Sequence, residues 1–271
     1  MANIGKMVKR CLLGTVLTGA WYLTGCGFGG VPLNGAPTTP TTSSDNWEIM
    51  VTPSNGVSAN RLSMLSGSIL SSPSGSSTQA PAVFQGVSSC FAAANVIPMD
   101  STIASNVFQG RSFGVQGQYL SMTGNLNTAH DSMTGTYSIA GGCSDGESGA
   151  FTGTRYRALT GTYTGTVSQG GNTYTVSVTT TQGDATGVGS FLIGGTATFG
   201  GFSCFTTGTI PVGSGYISGS NLTLSVTSSN GAVIQMNGEI DPAATTVSSG
   251  NLVITGGACS GQYGPIKLTR Q

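Results

Sequence analysis

Apolar side chains recur at every second position through most of this chain. Tyr174, Val176 and Val178 alternate with Thr173, Thr175, Ser177 and Thr179. Leu222, Leu224 and Val226 alternate with polar neighbours in the same way, as do Met133, Gly135, Tyr137 and Ile139. A period of two puts one set of side chains on a buried face and the other in water, the signature of half-buried antiparallel strands. Turn signals punctuate the pattern at short spacing: Ser54-Asn-Gly56, Gln169-Gly-Gly-Asn172 and Ser229-Asn-Gly231. From Trp47 onward no stretch carries three turns of helical amphipathicity, and Phe91 to Ala94 fits a single turn at most. The spacing predicts about seven or eight short strands in each half.

The halves are copies. Gly135-Thr-Tyr-Ser-Ile-Ala-Gly-Gly-Cys143 returns as Gly250-Asn-Leu-Val-Ile-Thr-Gly-Gly-Ala-Cys259, and Thr154-Arg155 returns as Thr269-Arg270. Ser89-Cys90-Phe91 returns as Ser203-Cys204-Phe205. Leu120, Met122, Gly124 and Leu126 return as Ile234, Met236, Gly238 and Ile240. Trp47-x-Ile49-x-Val51 opens the first copy and Tyr163-x-Gly165-x-Val167 the second, which sets domains of 47–157 and 160–271 in close succession. Such a unit is too long for a solenoid repeat of about 20–50 residues and is domain-sized.

Glycine falls repeatedly in the inward phase: Gly67, Gly86, Gly124 and Gly135 in the first copy, Gly165, Gly200, Gly238 and Gly250 in the second. Inward glycine weakens a flat strand but permits the sharp bending that closes a barrel. The expected fold is therefore all-β: two tandem small antiparallel meander β-barrels, or barrel-like sandwiches, with a flat two-sheet sandwich as the alternative. Phe84, Met122, Tyr137 and Met236 point inward on this reading, and either line a cavity or fill it. Thr and Ser on the alternate positions do not suit the apolar outer band of a membrane-spanning barrel.

The first residues break the pattern. Lys6, Lys9 and Arg10 precede an apolar run from Cys11 to Thr24. At roughly 14 residues the run is shorter than the ~20 that a spanning helix needs. A basic start, a short apolar run and small residues at its end predict an export signal over 1–25. Leu23-Thr24-Gly25-Cys26 resembles the lipobox of bacterial lipoproteins. That resemblance implies cleavage before Cys26, lipidation of Cys26 and attachment to a membrane of the bacterial cell envelope. Gly27 in place of an aspartate favours the outer membrane. Residues 26–46 hold Pro32, Pro37, Pro40 and a Thr/Ser run, composition expected of a disordered, flexible tether reaching about 25 Å. Anchor, tether and duplicated β unit together resemble β-rich envelope lipoproteins.

Beyond Cys26 the cysteines are Cys90, Cys143, Cys204 and Cys259. An even set in an exported chain suggests disulfides, and four cysteines allow three pairings. Each copy holds one early and one late cysteine, so copies that fold alone pair Cys90 with Cys143 and Cys204 with Cys259. A zinc site is disfavoured by the absence of a C-x-x-C and by a single histidine.

Charged residues make up only 7% of the chain. With the leader removed, six basic and nine acidic groups remain, and no basic patch invites nucleic acid. His130, Asp131 and Ser132 are consecutive, whereas a catalytic triad needs spatial neighbours, and the second copy has no histidine there. Asp145 and Glu147 suggest a calcium loop or an acid/base pair, but the second copy lacks both, so a tight turn is the simpler account. Pairing of these acids with Arg155 or Arg157 across the hairpin is the third option. Trp47 fits a core plug, and the aromatics mostly sit in the inward phase, which leaves little to stack on a sugar. The sequence predicts no catalytic or metal-binding residues and no cofactor. It predicts a non-enzymatic, lipid-anchored binding or carrier protein whose partners are a small apolar ligand, an envelope protein or a polysaccharide. A structural or adhesive surface module and an envelope hydrolase are the alternatives.

Overall fold

The computed structural model describes residues 43–271 apart from 55–60, 72–79, 89 and 92–95. Cys26, the leader, most of the tether, the tip of the Ser54–Gly56 turn and the greater part of the segment after Phe91 lie outside the described residues.

Residues 43–156 form eight strands: β1 (Ser43–Pro53), β2 (Met64–Ser71), β3 (Ala82–Val87), β4 (Ile97–Ala104), β5 (Val107–Ser112), β6 (Tyr119–Leu126), β7 (Ser132–Ala140) and β8 (Ser148–Tyr156). Each pairs antiparallel with the next, and β8 pairs back onto β1, so the sheet is a closed barrel. The second copy repeats this with β9 (Gly161–Gln169), β10 (Asn172–Ala185) and β11 (Phe191–Gly200). A broken fourth stave, β12 (Thr207–Ile210) and β13 (Gly215–Ser218), follows. Next come β14 (Asn221–Ser228), β15 (Val233–Ile240) and β16 (Thr246–Thr255). A broken eighth stave, β17 (Gly261–Tyr263) and β18 (Ile266–Arg270), pairs with β16 and closes onto β9. The closed ring decides against the flat sandwich.

β1 starts at Ser43, so the last four residues assigned to the tether are strand. They are held there because Asp45 meets Arg155 at 3.1 Å and Asn46 is buried. Proline content read over the whole stretch masked this short paired end. The two glycines of Gln169–Asn172 sit at φ 58° and 82°, where glycine escapes the usual Cβ clash, and make the two-residue hairpin turn.

Register corrects one detail of the repeat. Gly124 pairs with Gly135, whereas Gly238 pairs with Ser249, not Gly250. The ladder shifts between Met236 and Gly238, where two exposed residues, Gly250 and Asn251, oppose the single Asn237 in a bulge. Beyond it Met236 faces Leu252 as Met122 faces Tyr137. The matching Gly–x–x–x–Ile–x–Gly–Gly text thus misplaces only its first glycine, by one residue; from Leu252 onward it coincides with the structural equivalence.

Both interiors are occupied by side chains. Trp47, Ile49, Leu65, Phe84, Phe108 and Phe151 fill the first, all at most 2% exposed. Trp47 is the plug expected of it. Tyr163, Phe191, Ile217, Leu222, Leu252 and Leu268 fill the second, and none of them exceeds 2%. Glycine makes this density possible: a Cβ on Gly124 would stand 2.6 Å from the Phe151 ring.

The barrels belong to one compact unit and touch along a polar seam. The β10–β11, β13–β14 and β15–β16 connections lie at one end of the second barrel. The first of these connections and Ser218–Ser220 of the second meet the outer wall of β1, β2 and β3. Outward-facing Ser66 and Ser68 are buried there, and being small they allow close approach. Gly189, at φ 80°, passes so near Val83 that a Cβ would stand 2.2 Å from its carbonyl oxygen. Asn46, 1% exposed, uses its amide as a peptide group would. Its Nδ2 donates to the Gly219 carbonyl at 2.8 Å, and its Oδ1 accepts from the Gly219 N–H at 2.7 Å. Glu48 Oε2 accepts from Ser220 N at 3.0 Å and Ser220 Oγ at 2.6 Å. Tyr156 donates to the other oxygen of Glu48 at 3.4 Å, and burial together with that carboxylate pushes the Tyr156 phenol up to about 12. Replacing Asn46 with alanine leaves both Gly219 groups buried and unpaired. We expect a loss of roughly 2 kcal/mol, read as a fall in the urea midpoint.

Candidate functional site

Each disulfide forms where the repeat placed it, Cys90 with Cys143 and Cys204 with Cys259. Cys90 lies on the β3–β4 connection and Cys143 on a 3₁₀ turn between β7 and β8. Those connections are four staves apart in a ring of eight, so the bridge spans the mouth of the barrel. Cys204 and Cys259 occupy the corresponding connections of the second barrel. Two polar side chains lace the first mouth further. Gln118, from the β5–β6 connection, donates to the Cys90 carbonyl at 2.6 Å and accepts from Ser144 N at 3.1 Å. Glu147, just before β8, accepts from Leu62 N at 3.2 Å and from the Tyr137 hydroxyl at 2.9 Å. All four connections at that end are thereby joined. The second mouth is closed mainly by rings: Phe202 stacks on Tyr174 and on Phe205, with Phe199 and Tyr263 edge-on or tilted beside them.

Glu147 departs from the simple-turn reading. It is 7% exposed and continues the inward phase of Gly149, Phe151 and Gly153. That alternation was the signal for it, and the adjacent Asp and Gly obscured it. Burial, followed by the Glu147 hydrogen bond, pushes the Tyr137 phenol well above its ordinary value. Asp145 stays outside and accepts from the Gly141 N–H at 2.6 Å. The two carboxylates diverge, one into the mouth and one onto a turn, and so do not form a shared acid/base or cation-binding pair. Neither meets Arg155, which is engaged by Asp45. At the place of Tyr137 and Glu147 the second barrel has Leu252 facing Tyr263 directly. An apolar contact there replaces a polar one.

His130 is explained by the duplication. It sits at φ 55° in the β6–β7 turn, and Ala244, 114 residues on, sits at φ 51° in the β15–β16 turn. Asn127 Oδ1 accepts from Asp131 N and Ser132 N, and Asp241 Oδ1 likewise accepts from Thr245 N and Thr246 N. Burial alone would raise the Asp241 carboxyl, but the hydrogen bonds from Thr245 and Thr246 outweigh it and hold the group below its ordinary value. His130 Nε2 meets Asn106 Oδ1 at 2.9 Å. The His-Asp-Ser run is thus a backbone-capped turn, with His130 bonded to a turn asparagine and Asp131 to Asn127.

Among the described residues, grooves lie outside the barrel interiors. One of about 720 Å³ runs over β4, β5 and β6 and is lined by Asp100, Thr102, Gln109, Arg111, Ser121 and Thr123, among others. One of about 590 Å³ runs over β14, β15 and β16, past Thr223, Asn237, Glu239 and Ser248. Gln109 and Thr123 correspond to Thr223 and Asn237 in the repeat, so the two grooves share a wall position. A third of about 560 Å³ lies between the barrels, beside Arg155, Arg157, Asp131 and Pro242. The aromatics are not all inward. Phe113 is 54% exposed, Tyr119 42% and Tyr216 46%. Phe113 and Tyr119 flank the β5–β6 connection, and alternation at a hairpin end does not reveal which way a ring turns. Among the described residues no group of three metal-ligating side chains comes together and no helix is long and apolar enough to cross a membrane.

No protein-family model matches this chain, and no curated protein matches it significantly.

Proposed function

We propose that this chain is a lipid-anchored protein of the bacterial cell envelope, held through Cys26 in the outer membrane by a tether, and that it acts without catalysis as a binding module. One observation carries the binding half of that reading: both interiors are packed with side chains, from Trp47 and Phe151 in the first to Tyr163 and Phe191 in the second. A ligand inside would have to displace core residues at several kcal/mol each. Contact therefore belongs to the outer walls, where the grooves and the exposed rings lie. This moves the reading from a carrier of a small apolar ligand toward a surface module that meets a polysaccharide or an envelope protein. The two cross-mouth disulfides suit an oxidising compartment outside the cytoplasm.

Anchoring rests on the Leu23-Thr24-Gly25-Cys26 box and is tested directly. Cells fed radiolabelled palmitate should yield labelled protein in the membrane fraction. The Cys26→Ala chain should carry no label and appear uncleaved or in the soluble fraction. Label that persists in Cys26→Ala, or its absence from the parent chain, would remove the anchor.

A further inference from the structure

We infer that the outer wall of β4, β5 and β6 is a binding site for a neutral polysaccharide, with the Phe113 ring as its stacking surface and Asp100, Gln109 and Arg111 as its hydrogen-bonding groups. The inference rests on the reading of the chain as a surface binding module and names its ligand class.

Sugars present two chemistries at once. The hydroxyls around the ring edge need donors and acceptors, and the C–H faces need a flat apolar surface. This wall supplies both side by side. Asp100, Arg111 and Ser121 stand opposite one another across the three strands, and Thr102, Gln109 and Thr123 form the next rung. Neighbouring strands lie roughly 4.8 Å apart, so each rung sets three polar side chains next to one another across the wall. The groove above them holds about 720 Å³, within the usual range of small-ligand sites.

The partners of these side chains are as informative as their positions. Asp100 and Gln109 make no side-chain hydrogen bond or ion pair with any described residue. Asp100 faces Arg111 in register, yet the guanidinium does not close onto it. It lies over the Tyr119 ring instead, 5.4 Å from the centroid. That arrangement holds Arg111 as a donor and leaves the Asp100 carboxylate open as an acceptor. Among the described residues, a carboxylate and an amide without side-chain partners and a guanidinium laid over a ring contrast with the seam between the barrels, where Asn46 and Glu48 are engaged by hydrogen bonds. Phe113 comes just after the end of β5, two residues beyond the groove-lining Arg111, and leaves its ring more than half exposed. An exposed large aromatic beside a polar groove marks a contact surface better than one standing alone. One acid and one base cancel, which favours an uncharged ligand over a polyanion. In the second barrel a groove lies one strand further round, over β14, β15 and β16, and Tyr216 pairs with Thr223 at its edge.

The test is affinity electrophoresis of the full chain, extracted from membranes in mild detergent, through native gels cast with a neutral glucan, mannan or galactan. Polygalacturonate serves as the charged comparison. The parent chain should be retarded by at least one neutral polymer, and high salt should not release it. Phe113→Ala and Asp100→Asn should each weaken retardation roughly tenfold. Val212→Ser, at a position 92% exposed and away from the groove, should leave it unchanged. All three positions are exposed, and an unchanged melting temperature confirms that each variant is folded. Retardation by no neutral polymer would overturn the inference, as would retardation that survives both groove variants, or retardation by polygalacturonate alone that salt abolishes. Cross-linking in cells that captures an envelope protein, with no polymer retarding the chain, would overturn the glycan site and leave the binding-module reading intact.

Discussion

Replacing Cys204 and Cys259 together with alanine is expected to lower the stability of the oxidised protein by about 4 kcal/mol, the largest loss available from removing one covalent link. The chain-entropy argument sets the scale. The bridge closes a segment of 55 residues, and its partner closes one of 53, so each removes a similar number of conformations from the unfolded chain. Position decides whether that full amount is realised. Each bridge joins connections on opposite sides of a barrel mouth, so its loss also frees the loops over the core. In the second barrel those loops carry Phe202 and Phe205, and Tyr263 follows directly. Once untied, the aromatic cluster is left with packing, Asn230 Nδ2 donating to the Cys204 carbonyl and the Tyr263 hydroxyl donating to the Cys259 carbonyl. Small domains hold a reserve of roughly 5–15 kcal/mol, so a loss of this size should show as a large fall in urea midpoint and in melting temperature. Dithiothreitol opens both bridges in the parent chain and Cys90–Cys143 in the variant, so it should lower the parent by more than the variant's own fall and bring the two to a similar reduced stability. A variant as stable as its parent would mean that the mouth is held by the rings alone.

Gly135→Ala should be nearly as damaging, and for a different reason. Gly124 and Gly135 face each other across β6 and β7, and the Phe151 side chain occupies the space they leave. A Cβ on Gly135 would stand 2.1 Å from the Thr123 carbonyl oxygen and 2.5 Å from the Gly124 Cα. Both are backbone atoms, so relief requires moving strands, and we expect a cost of about 3 kcal/mol or more. At Gly124 the nearest atom is the tip of the Phe151 ring, at 2.6 Å. Gly124→Ala should therefore cost about 1–3 kcal/mol and be partly rescued by Phe151→Leu, while Gly135→Ala should not be rescued. A double-mutant cycle by urea unfolding separates the two. Equal rescue at both positions would show that the ring, and not the backbone, sets the spacing.

These two sites also show what a single sequence discloses. Alternation along β7, β10 and β14 stated which residues face inward, because a closed sheet with one wet face imposes it. The cysteine pairing was legible because the copies can be laid over one another, and a staple within a copy is the pairing that duplication preserves. The extra residue in Gly250–Asn251 was not, since a bulge looks like an insertion of no fixed place until the ladder is seen. Asn46 bonds to Gly219 across 173 residues, a contact no local pattern encodes. Glu147 read as part of a turn because Asp145 and Gly146 carry strong turn signals, and these hid the inward phase that begins at the same point. Phe113 and Tyr119 escaped notice for the opposite reason: they lie at strand ends, where alternation loses its grip.

The account depends on solid barrel interiors, which confine recognition to the outer walls. Native mass spectrometry of the full chain purified from its own host tests this most directly. The mass should equal that of the polypeptide plus its acyl chains, and denaturation with reduction should release nothing further. A small apolar molecule released in stoichiometric amount would place the ligand inside a barrel and contradict the account.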